Sequence, residues 1–323
     1  MAYTRTKTAP AKLDVYEKIT NTIIAALETG VRPWHKSWSN TGAVNPASIS
    51  VRPRRSCGTP YKGINTIVLW CEAQAKGYSN ATWMTFQQAK EHGAHVRKGE
   101  TATVVVYASK FVKTEKNDAG EDVDRTVPFL KSYCVFNVEQ IEGLPERFYN
   151  KAAVVASVVD APAFERIEHV DAFVTNTAIA VGHGGDRAFY SPAHDRVQMP
   201  SFHQFDSAAS YYATLAHEIV HATKHEKRLN REFGQKRWGD ESYAAEELVA
   251  ELGAAFLCAD LGISDQPRDD HASYIASWLK VLKNDKRAVF TAASHAQAAA
   301  DWLHAQQPGA IEESEEMEFA MAA

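Results

Sequence analysis

Two histidines four residues apart stand in one long apolar-periodic run, and this run limits how the chain can fold. Residues 207–224 contain no Pro or Gly, and apolar residues recur there with helical spacing. The pattern predicts one amphipathic helix. On such a helix the imidazoles of His217 and His221 lie on the same face, close enough to fill two of the four positions around a zinc ion.

Glu218 follows His217, which completes the pattern His-Glu-x-x-His. This pattern is typical of zinc metallopeptidases, in which the glutamate is the general base of hydrolysis. The five residues alone do not decide the function, because two histidines at this spacing also occur on ordinary amphipathic helices. His225 is excluded as a third ligand, since eight helical residues put it roughly 12 Å along the axis from His217.

A second helix offers a better third ligand. Residues 243–258 are strongly helical and rich in small residues, so they can pack closely against the first helix. Glu247 and Glu251 share a face with core-type residues, and a buried carboxylate needs a partner. We expect Glu247 to be the third ligand and Glu251 to hold a ligand histidine in its tautomer. The reverse assignment stays open, and Glu246 is expected to be a solvated surface residue.

The charges are divided unequally along the 323 residues. Residues 1–113 contain 16 Lys and Arg against 6 Asp and Glu, a net charge of +10, and the remainder has a net charge of −15. This split predicts a nucleic-acid-binding half joined to a different half. No apolar run approaches the roughly 18 residues of a membrane span, the basic start is not a secretory signal, and four cysteines without CxxC spacing fit a reducing cytoplasm.

Helical and alternating patterns predict an α+β protein of two domains. The first half has helices over 12–29 and 64–76 and paired strands over 101–112 and 129–138, with an exposed charged loop at 114–125 between them. The second half has a helix over 161–175, three short strands and then four helices. The predicted order is a flexible basic tail (1–11), an N-terminal α+β domain (12–150), a linker (151–163), a C-terminal domain (164–305) and a disordered acidic tail (306–323).

Aromatic and basic residues alternate in the N-terminal domain. Proteins that hold single strands combine a positive groove with aromatic rings on which bases stack, and such stacking tolerates any sequence. The chain therefore predicts largely sequence-independent binding of single-stranded DNA. The residues expected to make these contacts are Arg32, Trp34, Lys36, Trp38, Arg52, Arg54, Arg55, Tyr61, Lys62, Arg97 and Lys98.

Several motifs together resemble the ArdC family of antirestriction proteins. The resemblance covers about residues 12–305, and its motifs occur in the family's order. They are Thr59-Pro-Tyr-Lys-Gly-Ile-Asn65, Trp83-Met-Thr-Phe-Gln-Gln-Ala89, Val96-Arg-Lys-Gly-Glu100, Phe189-Tyr-Ser-Pro192, His217-Glu-Ile-Val-His221 and Glu246-Glu-Leu-Val-Ala-Glu-Leu252.

The resemblance implies an N-terminal domain that binds single-stranded DNA and a C-terminal zincin-like metallopeptidase domain. It also implies carriage by a plasmid, phage or other mobile element, and protection of incoming DNA from host restriction. Related peptidases with a glutamate third ligand have it at the position of Glu247. The implied cofactor is Zn²⁺ or another divalent metal.

Two other functions are compatible with the same residues. In the first, the protein binds single-stranded DNA without proteolysis, and its metal site is structural or regulatory. In the second, the protein is a protease that cleaves a host restriction enzyme or regulator, and DNA binding is secondary.

Overall fold

The computed structural model describes residues 14–30, 32, 34, 51–116, 122–149, 165–232, 239–263 and 272–309. The predicted tail (1–11), the linker (151–163), and residues 310–323 of the acidic tail lie outside the described residues. Within the described part the fold is α+β with two domains, as predicted.

The N-terminal half is built on a four-stranded sheet. Its strands are β1 (Arg54–Arg55), β2 (Thr82–Thr85), β4 (Thr103–Lys116) and β5 (Asp122–Asn137), in the order β1-β2-β5-β4. Strands β3 (His95–Val96) and β6 (Ile141–Glu142) form a separate antiparallel pair. The helices of this half are α1 (Val15–Glu28), α2 (Ile64–Lys76) and α3 (Phe86–Glu91).

Strands β4 and β5 are longer than the sequence pattern predicted. They pair in register from Thr103 opposite Val135 to Lys116 opposite Asp122, so most of the predicted loop at 114–125 is strand. The charged residues of that segment suggested a loop, whereas cross-strand pairing extends the ladder through them. The result is a long two-stranded ribbon that projects from the sheet.

The C-terminal half combines a small mixed sheet with four long helices. Strands β7 (Ala180–His183), β9 (Arg196–Met199) and β8 (Phe189–Ser191) lie in that order, with β7 parallel and β8 antiparallel to β9. Helix α4 (Glu168–Asn176) precedes the sheet. After it come α5 (Ala208–Ala222), α6 (Gly239–Leu261), α7 (Ala272–Asn284) and α8 (Ala288–Ala305).

Helix α5 begins and ends where its sequence dictates. Ser207 is the N-cap, and its hydroxyl accepts a hydrogen bond from the backbone N–H of Ser210 at 3.1 Å, which satisfies a donor of the first turn. At the other end, the Arg231 guanidinium donates to the carbonyl oxygen of Val220, one of the last acceptors of the helix. The predicted helix over 207–224 is therefore confirmed to within two residues.

Helices α5 and α6 approach each other closely at Gly253. A Cβ added there would lie 2.8 and 2.9 Å from the two γ-methyl carbons of Val220. Valine is stiff about χ1 and cannot turn both methyl groups away. The absence of a side chain at position 253 thus sets how near the two helices can come.

We expect Gly253→Ala to destabilise the fold by about 1–3 kcal/mol through overpacking. Chemical denaturation of the two proteins measures the difference. The double variant Gly253→Ala, Val220→Ala restores space at the contact and should recover part of the loss. If Gly253→Ala were as stable as the wild type, the close contact between Gly253 and Val220 would be contradicted.

One hydrophobic core joins the two halves. Ile19, Ile23 and Trp70 of the N-terminal half pack in the same cluster as Phe256 and Trp278 of the C-terminal half. Hydrogen bonds also cross between the halves, as from Thr20 to the Lys286 carbonyl at 2.7 Å. The relative position of the halves is therefore fixed by burial as well as by polar contacts.

Two cysteines and the longest helices bear on the environment of the chain. Cys71 and Cys258 are buried in the core, and neither is in a disulfide. Among the helices of the described ranges, none has both the length and the apolarity needed to span a bilayer.

Candidate metal centre

Two histidines and one glutamate meet between α5 and α6. The Nε2 atoms of His217 and His221 lie 3.2 Å apart. The Glu247 carboxylate lies 3.4 Å from His217 Nε2 through one oxygen and 3.5 Å from His221 Nε2 through the other. All three side chains are buried.

The spacing of these atoms fits a small divalent cation. Zinc bonds to nitrogen and oxygen of about 2.0–2.2 Å in a tetrahedron put neighbouring ligand atoms roughly 3.3–3.6 Å apart. The two histidine nitrogens are 3.2 Å apart, just under this range, and each lies within it, at 3.4 or 3.5 Å, from a different oxygen of Glu247. Two imidazoles and one carboxylate are also a donor set that leaves the fourth position of a catalytic zinc open. These residues fit the ion that the sequence pattern predicted.

Two further carboxylates lie behind the three candidate ligand residues. His221 Nδ1 donates to Glu246 Oε1 at 3.1 Å, which leaves Nε2 directed to the cluster. His217 Nδ1 lies 3.8 Å from Glu251 Oε2, a charge contact longer than a hydrogen bond. Each candidate ligand histidine thus has its own carboxylate behind it.

The prediction for Glu246 was wrong. Glu246 is 7% exposed, and its carboxylate accepts two hydrogen bonds from the Arg231 guanidinium, at 2.8 and 2.9 Å. Burial opposes its charge, but the hydrogen bonds from Arg231 and His221 prevail and lower the pKa of Glu246 to about 2. A cation from a distant segment, Arg231, makes this position buried rather than solvated.

The surrounding negative charge acts on the imidazole of His221. Burial alone would lower its pKa, but hydrogen bonds to Glu246 and Glu247, with the charges of Glu247 and Glu218, raise the pKa of His221 to about 9. Burial also opposes the charge of Glu247, yet hydrogen bonds from His217 and His221 hold its pKa well below the usual range. The centre therefore favours a cation, a role that a divalent ion can fill in place of the proton.

Glu218 is also buried, at 4% exposure, and follows His217, the first candidate ligand, on α5. The structure thus brings His217, His221 and Glu247 together, with Glu251 behind, and the charge of Glu218 acts on His221. His225 lies beyond the end of α5, 3.8 Å from Asp195, which agrees with its exclusion as a ligand.

Four of the residues predicted to contact DNA are instead part of the protein interior. Trp34 is fully buried, and Arg32 donates to Glu251 at 2.9 Å. Arg52 is 4% exposed and forms two hydrogen bonds with Asp260, at 2.9 and 3.0 Å. Tyr61 is packed in a small cluster beneath the sheet. These predictions were wrong, because basic and aromatic residues here face acidic and apolar groups of the protein itself.

The remaining DNA-contact predictions are not contradicted. Lys36 and Trp38 lie outside the described residues. Arg54, Arg55 and Lys98 are exposed, while Lys62 is paired with Asp301 and Arg97 with Glu100 at the surface. These exposed cations remain predicted contacts.

The sequence reading missed an aromatic and basic surface on the ribbon. Tyr107 lies opposite Lys131, and Phe129 and Tyr133 occupy the same face at alternate positions of β5. Tyr107 and Tyr133 are 50% and 45% exposed, and Lys131 Nζ lies 5.3 Å from the Phe129 ring centre. We call Tyr107, Phe129, Lys131 and Tyr133 the ribbon face. The alternate positions of Phe129, Lys131 and Tyr133 in the sequence could have predicted the ribbon face.

Comparison with known protein families matches both halves of the chain. Residues 13–136 match the family described as the N-terminal domain of anti-restriction factor ArdC. Residues 168–295 match the family described as zincin-like metallopeptidase. The two matches cover the sheet with its ribbon and the helices of the metal centre respectively.

Solved structures agree with these matches. The metal-free crystal structure of the antirestriction protein ArdC from plasmid R388 is 40% identical, with a TM-score of 0.75, over 91% of this chain and 98% of that one. The Mn(II)-bound structure of the same protein is 39% identical, with a TM-score of 0.73, over 92% and 99% of the two chains.

Curated relatives include one protein of similar length and others that are much longer. The uncharacterised protein y4eC of Sinorhizobium fredii is 40% identical over 95% of this chain and 97% of its own. A protein named DNA primase TraC, from Escherichia coli, is 36% identical over 94% of this chain. The chain spans only 28% of that primase, so the whole primase's activity does not transfer with the similarity.

Proposed function

The chain belongs to the ArdC family of antirestriction proteins, and from that premise we propose that it protects incoming DNA from host restriction. In this proposal it binds single-stranded DNA with its N-terminal half and hydrolyses peptide bonds with its C-terminal half. It acts in the cytoplasm of a host that receives a mobile element. The observation that carries the hydrolytic part is the buried cluster of two imidazoles and one carboxylate with Glu218 beside it.

His217, His221 and Glu247 would hold the ion, and we propose Zn²⁺ as the ion bound. When bound there, the metal supplies a Lewis acid that polarises the scissile carbonyl. Glu246 and Glu251 hold the two imidazoles from behind.

Glu218 has the role of general base in this proposal. Its carboxylate takes a proton from the attacking water and delivers it to the leaving amine. Its burial in the first helix of the centre supports this role, because a catalytic carboxylate shielded from bulk water keeps a defined position.

Exposed groups of the N-terminal half support binding of single-stranded DNA. The ribbon face combines three aromatic rings with a cation, and Tyr107 and Phe129 have ring centres 6.3 Å apart. Stacked bases and backbone phosphates need these two kinds of group. The relatives named DNA primase also support a nucleic-acid partner.

We expect Tyr107→Ala with Tyr133→Ala to weaken binding of single-stranded DNA by about 1–3 kcal/mol for each base that loses its platform. Fluorescence anisotropy with a labelled oligonucleotide of mixed sequence, at fixed salt, measures the loss. Both rings are largely exposed, so the fold should keep its melting temperature.

Two variants serve as controls for this experiment. Phe189→Ala removes an equally exposed ring, 46% accessible, from the C-terminal half and should leave DNA affinity unchanged. The pair His217→Ala, His221→Ala should lose metal, measured by elemental analysis, and keep DNA affinity. Wild-type DNA affinity in the ribbon variant would refute the ribbon face as the binding surface.

A further inference from the structure

Arg32 and Trp34 of the N-terminal half contact a carboxylate behind the metal centre. Arg32 Nη1 donates to Glu251 Oε1 at 2.9 Å, and Trp34 Nε1 is 3.4 Å from the same oxygen. The Glu251 side chain is 3% exposed and that of Arg32 is 10% exposed, so little solvent reaches the ion pair. The attraction between charges so shielded from water is screened less than at the surface, and the hydrogen bond fixes its geometry.

The other oxygen of Glu251 faces the metal centre. Glu251 Oε2 lies 3.8 Å from His217 Nδ1, while His217 Nε2 belongs to the cluster with His221 and Glu247. Glu251 is also one helical turn after Glu247 on α6, on the same face. The carboxylate thus has one oxygen held by the N-terminal half and one directed at a ligand histidine.

The donors from the N-terminal half are themselves held by the C-terminal half. Trp34 is 0% exposed, and its ring meets that of Trp278 edge-on, with centres 6.1 Å apart. Trp278 belongs to α7 and is 1% exposed. The indole N–H is therefore fixed in direction by packing, which is what a group that orients a carboxylate requires.

We propose that Arg32 and Trp34 are positioning residues of the metal centre. They fix the Glu251 carboxylate, and Glu251 in turn holds the His217 ring with Nε2 directed to the cluster. The inference rests on the proposed metal binding and extends it, because it makes part of the N-terminal half a component of the site. Outer partners of this kind commonly change metal affinity about 10–100-fold.

A purely structural role for Arg32 would also explain a buried pair, and Arg52 provides the matched comparison. Arg52 likewise extends from the N-terminal half to a carboxylate of α6, that of Asp260, with hydrogen bonds of 2.9 and 3.0 Å. It also donates to Gln297 and stacks on Phe256, with its guanidinium carbon 4.2 Å from the ring centre. Among the described residues, Arg52 contacts Asp260, Gln297 and Phe256 and none of the metal-centre side chains, so its loss is expected to weaken only the junction of the halves.

The test is calorimetric titration of Zn²⁺ and Mn²⁺ into the metal-free, full-length protein. Arg32→Met should weaken binding by about 10–100-fold, and Trp34→Phe, which keeps the ring in the core, should weaken it several-fold. Arg32→Lys retains the cation and should restore part of the affinity. Arg52→Met should bind both ions with the wild-type Kd.

The outcomes show whether the positioning role, the proposed metal binding or both are overturned. If the wild type binds metal and Arg32→Met and Trp34→Phe bind it equally well, the inference is overturned and the metal site stands. An equal loss in Arg52→Met would overturn it too, since the effect would then come from the junction. Failure of the wild type to bind either ion overturns both. If Arg32→Met does not fold, Trp34→Phe alone decides between these results.

Discussion

Replacement of Glu218 by Gln is expected to lower peptide hydrolysis by about 10²–10⁴-fold while the metal remains bound. Glutamine keeps the size and the buried position of Glu218 but cannot accept the proton of the attacking water. The three ligand residues are unchanged, so metal content by elemental analysis should match the wild type. Hydrolysis is measured with zinc-loaded protein on fluorescently labelled, denatured casein.

Glu218→Gln also distinguishes between the three functions that are compatible with the sequence. Protection is measured as the efficiency with which unmodified DNA transforms a restricting host, relative to methylated DNA. Loss of protection with metal retained supports hydrolysis as the means of protection. Unchanged protection favours a structural or regulatory metal. Cleavage of a host protein that persists when the ribbon face is substituted favours a protease of a host regulator.

A matched control distinguishes loss of the base from loss of a carboxylate in general. Glu226 is exposed and lies four residues beyond the end of α5. Glu226→Gln changes the net charge by the same amount and should retain wild-type hydrolysis. Hydrolysis by Glu218→Gln at the wild-type rate would contradict the assignment of the general base.

The part of the site that local spacing controls was predictable from the sequence. His217 and His221 share a helix face by their separation, and Glu247 with Glu251 share a face of the next helix for the same reason. Helical periodicity fixes these relations before any tertiary contact forms. The structure brings the two faces together at the glycine contact of α5 and α6.

Contacts between distant segments were not predictable in this way. Glu246 is off the face that Glu247 and Glu251 share, so periodicity assigned it to solvent, and only the position of Arg231 reverses this. The buried positions of Arg32 and Arg52 were not predictable from the sequence for the same reason, since their partners are distant in the chain. The opposite charges of the two halves suggested an external partner for the basic half, whereas Glu251 and Asp260 neutralise two of its arginines inside the protein.

Arg231→Met is expected to destabilise the protein by about 3–5 kcal/mol, because it leaves the Glu246 carboxylate buried without its cation. The side chain of Arg231 is 1% exposed and donates to both oxygens of Glu246, to Thr223 Oγ1 and to the Val220 carbonyl. Its loss therefore also uncaps the end of α5. Urea denaturation in the presence of a chelator measures the change without a contribution from bound metal.

The double variant Arg231→Met, Glu246→Leu separates stability from metal binding. Removal of both charges leaves apolar groups at the two positions, so the part of the loss that comes from the unpaired Glu246 charge should return, while the part from the lost bonds to Val220 and Thr223 should remain. His221 nevertheless loses the acceptor of its Nδ1 proton, so metal affinity should stay about 10–100-fold below the wild type. If the free energy of unfolding of Arg231→Met lies within about 1 kcal/mol of the wild-type value, water reaches Glu246. Wild-type metal affinity in the double variant would mean that Glu246 does not orient His221.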